Sequence, residues 1–123
     1  MRFAFEFDYP LAAPLLAAGV TPRTAHVDVD DGWFDVRFGL WRLRTPLSNV
    51  AGATVTGPYH PLRALGTRVS LADRGVTFGT NARQGVCVRF HEPVPAALPA
   101  GLLRHPGATV TVREPEGLRA ALA

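Results

Sequence analysis

Lysine is absent from this 123-residue sequence, and all thirteen basic residues are arginine. GC-rich coding is the simplest source of that bias, yet it has a physical consequence. Every positive charge is a guanidinium, shaped for two-point contact with a carboxylate or a phosphate. Cysteine is nearly absent as well. Cys87 alone cannot form an internal disulfide, which agrees with a reducing compartment. No apolar run is long enough to span a bilayer. Leu11–Val20 is short, and the stretch before it is acidic and strand-like rather than the basic start of a secretory leader. A cytoplasmic location is expected. The spacings HxH, HExxH and CxxC are missing, so His26, His60, His91 and His105 never occur with a second metal ligand, and no cofactor is expected. The charge excess is only +3 and is scattered, without the aromatic-interleaved basic stripe of a nucleic-acid binder.

What is present reads as one mostly-β domain over residues 1–123. A composition 47% hydrophobic and 19% charged is that of a folded globule. Arg2 to Asp8 alternates phenylalanine with mostly polar partners, the period of a strand with one buried face. Leu11 to Gly19 suits a short helix with Pro14 in its first turn and Gly19 as its stop. His26–Asp30 and Trp33–Phe38 alternate on either side of Asp31-Gly32, a hairpin turn signal. Val27, Val29, Phe34, Val36 and Phe38 then face inward, while Asp28, Asp30, Asp35 and Arg37 face water. A turn or bulge at Gly39 shifts the phase for Trp41 and Leu43. Thr45–Val50 reads as a bend into a strand over Ala51–Thr56, and Tyr59–Thr67 as a long irregular loop. A second hairpin is expected over Arg68–Leu71 and Val76–Thr80, then a strand over Val86–Phe90. Pro93, Pro95 and Pro99 are expected to break the chain, and His105-Pro106-Gly107 to turn. A last strand, Ala108–Val112, leads to a helix over Pro115–Leu122, with Leu118 and Leu122 spaced for docking. Without alternating strands and long helices, a parallel doubly wound sheet is disfavoured. A small antiparallel barrel or sandwich closed by the C-terminal helix is expected.

Candidate chemistry is sparse. Cys87 and His91 pair a thiol with an imidazole, but four residues along a strand separate them by roughly 13 Å. Asp28, Asp30, Asp31 and Asp35 gather near a hairpin tip without the spacing of a calcium loop. Gly75, Gly79 and Gly85 are too dispersed to cradle a phosphate. No residue is assigned a catalytic or metal-binding role, and the chain reads as non-enzymatic. Arg42 and Arg44 share one strand face, Arg63 and Arg68 bracket the long loop, and Tyr59 and His60 lie in it. If strand and loop converge, these six form an arginine patch for an anionic ligand or a membrane surface. The plainer alternative has the arginines solvating an outer face, paired with Glu6, Asp8 or Asp35. Trp33, placed beside Asp35 and Arg37 on the outward face, is a candidate interface anchor. A pocket near Cys87 and Tyr59 is the enzyme alternative.

Phe34–Val50, with its "PLxNV"-type bend at Pro46-Leu47-Ser48-Asn49-Val50, resembles hairpins of bacterial pleckstrin-homology-like domains. Val110–Leu122 resembles the last strand and closing helix of such domains. Val55–Tyr59, Ser70–Gly75, Gly85–Phe90 and Leu103–Gly107 are similar to an uncharacterised group of small actinobacterial proteins. Together these resemblances imply a single pleckstrin-homology-like domain acting as a binding or protein-interaction module, with a homodimer or another protein as partner. They assign no activity. The segment Leu11–Gly19 departs from the simple form of that fold.

Overall fold

The computed structural model of the chain describes residues 1–8, 13–17, 19–59, 66–69, 75–81, 83–96 and 104–123, apart from the side chains of Arg68 and Val69. Its first sheet is a meander of β1 (Arg2–Ala4), β2 (Ala25–Asp30), β3 (Trp33–Phe38) and β4 (Trp41–Pro46), in that spatial order. Asp31 and Gly32 both take positive φ (52° and 82°), the two-residue turn whose twist matches a hairpin. Alternation does the rest. Val27, Phe34, Val36, Phe38 and Leu43 are fully buried, and the intervening residues form the outer face. The short helix α1 (Ala13–Ala17) lies between β1 and β2, and ends before Gly19 at φ 82°.

A 3-10 turn, Leu47–Asn49, then redirects the chain into the second sheet. Asn49 holds this corner. Its amide donates to the Thr45 hydroxyl (3.0 Å) and the Glu92 carbonyl (2.9 Å), and its oxygen accepts from the Glu92 N–H (2.8 Å). The second sheet comprises β5 (Val50–Thr56), β6 (Gly66–Val69), β7 (Val76–Gly79), β8 (Gly85–Pro95) and β9 (Arg104–Val110), ordered β5-β8-β9-β7-β6. Phe38 of β3 meets Phe78 of β7 with ring centroids 5.4 Å apart, and Phe34 meets Phe90 of β8 at 6.2 Å, so the two sheets share one core. Helix α2 (Pro115–Ala121) starts with proline at its first turn, buries Leu118, and packs on β5 and β8.

Several sequence expectations change. Neither sheet closes into a barrel among the described residues, because the corner at Leu47–Asn49 starts a new sheet rather than extending the first. The second sheet is not wholly antiparallel, since β9 inserts between β8 and β7 and runs parallel to β7. Pro93 does not end β8, which runs on to Pro95; Pro99 lies outside the described residues. The register shifts between Arg89 and Val94, and a bulge of that kind accommodates proline. His105-Pro106-Gly107 is likewise strand rather than turn, with His105 buried inside β9. The second hairpin is present as β6–β7, with its first strand beginning at Gly66; Ser70, Leu71, most of the expected long loop and the expected turn from Ala72 lie outside the described residues.

Candidate functional site: two unlike outer faces

The outer face of the first sheet is a chequerboard of charge. Asp35 accepts two hydrogen bonds from Arg42, at 3.1 and 2.7 Å, and lies 3.8 Å from Arg44. That pairing raises the Arg42 pKa, through the hydrogen bond to Asp35 first and its charge second. The Arg44 guanidinium sits 3.7 Å from the centroid of the Trp33 ring, a cation–π stack. Structure therefore brings Arg42, Arg44 and Trp33 together around Asp35. The arginines are engaged within the sheet, and Trp33, on an inner strand, is partly covered by Arg44. Arg2 is paired with Asp28 at 2.8 Å, and Asp30 with the Met1 amino group.

Tyr59 belongs to the other sheet. Its phenol hydrogen-bonds the Thr56 hydroxyl and lies over Gly85, where a Cβ would come within 2.9 Å of the oxygen. Burial pushes the Tyr59 phenol above its ordinary range, helped by the neighbouring Cys87 and opposed by the Thr56 hydrogen bond. His60 and Arg63 lie outside the described residues. Arg68 is described by backbone alone, in register opposite Thr77.

The outer face of the second sheet has a different composition. Register places Thr54, Cys87, Thr109 and Thr77 in one row across β5, β8, β9 and β7, with Arg68 at the next position on β6. The adjacent row is Gly52, Arg89 and Gly107. Arg89 leans over Gly52, where a Cβ would meet its Nη2 at 2.5 Å, and donates to the Thr54 hydroxyl at 3.0 Å. With Gly107 bare on its other side, a trough of about 440 Å³ opens, lined by Thr77, Cys87, Arg89, Pro106, Gly107 and Thr109 among others. Among residues with described side chains, Arg89 is the only charge on these two rows. Alternation along β8 puts Cys87 and Arg89 on one face but does not reveal the row. Only the strand order, with β9 inserted, aligns Thr109 and Thr77 with them.

No group of three potential metal ligands occurs among the described residues, and no described helix is long and apolar enough to cross a membrane. Comparison with protein-family models, curated proteins and solved structures finds no match to this chain.

Proposed function

We propose that the chain is a non-enzymatic protein-interaction module, pleckstrin-homology-like in build, that docks through the outer face of its second sheet. The four-stranded meander, the corner at Pro46–Val50 and the closing helix α2 support that build; the order of the second sheet departs from a run of simple hairpins.

One observation carries the docking reading: the contrast between the two outer faces. The first sheet presents four arginines and three aspartates on its strands, Arg2, Arg37, Arg42 and Arg44 with Asp28, Asp30 and Asp35. The second offers threonine, cysteine and glycine around a trough, between Tyr59 at one margin and Arg89 at the other. Depletion of charge at the centre with tyrosine and arginine near it is the composition of an interface core. Threonine and glycine also lose little side-chain entropy when covered. The partner of choice is a second copy. Among the described side chains of its two central rows this face carries one charged group, Arg89, so two copies meeting there desolvate few charges.

Light scattering across a concentration series tests this. The mass should double with concentration, and Thr109→Arg, which sets a guanidinium into the trough while keeping a native near-UV spectrum, should remain monomeric. A wild-type chain monomeric throughout, or a dimer indifferent to Thr109→Arg, overturns the proposal.

A further inference from the structure

Charge on the first sheet does not balance locally. Asp28 is held by Arg2 at 2.8 and 3.2 Å, Asp35 by Arg42 and Arg44, and Asp30 by the Met1 amino group. Those contacts engage every carboxylate that the strands place on this face. Arg37 on β3 and Arg23, in the turn before β2, have no carboxylate within ion-pair distance among the described residues. Both line one cavity of about 290 Å³, with Thr24, His26 and Gly39 completing its wall.

The wall is fixed by its own hydrogen bonds. The Thr21 N–H donates to the Thr24 hydroxyl oxygen (2.8 Å), the Thr24 N–H to the Thr21 carbonyl (3.0 Å), and the Thr24 hydroxyl to the Gly19 carbonyl (2.6 Å). Gly39, at φ 63°, donates its N–H to the Thr24 carbonyl at 2.9 Å; a Cβ there would meet Val20 at 2.9 Å. Arg23 thus projects from a closed turn. Arg37 comes from an inner strand, in register between His26 on β2 and Arg42 on β4.

We propose that this cavity binds a phosphate monoester, its terminal oxygens accepting hydrogen bonds from the Arg23 and Arg37 guanidinium groups. A phosphate monoester brings close to two negative charges and three terminal oxygens, a match in charge and geometry for two guanidinium groups that have no carboxylate of their own. The site is separate from the docking face on the second sheet and stands whether or not the chain dimerises.

His26 reports on occupancy. Its Nδ1 is buried without a hydrogen-bond partner and lies 3.4 Å from an Asp28 carboxylate oxygen. The charged groups around it are Asp28 on its own strand, Arg2 from β1, Arg37 and Asp35 from β3, and Arg23 across the cavity. Burial first, then Arg2 and Arg37, hold the imidazole below its ordinary range, against the opposing pull of Asp28 and Asp35. A phosphate seated between Arg23 and Arg37 offsets that positive field, so His26 should become more basic on binding.

The probe is glycerol 3-phosphate at low ionic strength, followed by calorimetry and by NMR titration of His26. One saturable site is expected, with the His26 titration displaced to higher pH when the site is full. Arg23→Ala and Arg37→Ala, both at exposed positions, should each weaken binding by about tenfold or more, the scale of a lost charge-assisted hydrogen bond. Arg44→Ala, whose guanidinium rests on Trp33, should change it by no more than about twofold. Vesicles of phosphatidylcholine with and without phosphatidic acid distinguish the source of the phosphate. Sedimentation with the acidic vesicles alone, lost in Arg23→Ala, marks a lipid headgroup, and binding of glycerol 3-phosphate without vesicle binding marks a soluble ligand. Absence of binding to both probes, or binding that survives Arg23→Ala and Arg37→Ala together, overturns the proposal.

Discussion

A buried polar node joins the segment after β1 to the end of the second sheet, and its weight falls on Asn81. The Asn81 amide donates to the carbonyls of Glu6 (2.8 Å) and Thr111 (3.4 Å), while its oxygen accepts from the N–H groups of Arg83 (2.9 Å) and Gln84 (3.3 Å). Thr80 reinforces it by donating from its hydroxyl to the same Glu6 carbonyl at 2.6 Å and from its N–H to the Thr111 hydroxyl oxygen at 2.8 Å. Asn81→Ala strips partners from several sheltered backbone groups and should cost about 2 kcal/mol or more in urea denaturation. Arg42→Ala removes a half-exposed arginine and leaves Asp35 beside Arg44, so it should cost about 1 kcal/mol at most in the same measurement. At this scale the sequence was partly legible. The plain pairing of the arginines with Asp35 could be anticipated, because opposed outward positions of a hairpin follow from alternation. The role of Asn81 could not, since a polar residue in an apparent turn carries no mark of the distant carbonyls it will meet.

Local pattern decides which elements form, and remote partners decide how they assemble. The β2–β3 hairpin was legible residue by residue, because Asp31-Gly32 sets its register and the alternation sets its faces. The run from Phe90 to Pro95 was misread because proline usually ends a strand; here a bulge absorbs Pro93, and Asn49 bonds the backbone at Glu92 from the corner opposite. The parallel pairing of β7 with β9 was invisible, since alternation is the same in parallel and antiparallel company. Asn49→Ala should loosen the junction of the two sheets. The expected result is a loss of about 1–3 kcal/mol together with faster amide exchange at Glu92, whose N–H loses its acceptor.

For the whole molecule, two outer faces of one small core have been given different work. The charged face contributes a pH dependence whose sign is fixed by His26. Its folded pKa lies below the unfolded value of about 6.5, so its contribution to stability is present above that pH and is lost as pH falls through the folded pKa. Thermal melts between pH 8 and 5 should therefore show wild type losing stability more steeply than His26→Gln. On the sparsely charged face Cys87 stands in the middle of its row, half-buried and flanked in register by Thr54 and Thr109, and docking there is the central claim. The reaction rate of Cys87 with a thiol reagent in excess, measured against protein concentration, tests that claim most directly. The rate per thiol should fall as concentration rises and copies cover the face, and should stay constant in Thr109→Arg. A wild-type rate independent of concentration, across a range in which light scattering shows dimers, would contradict docking through this face.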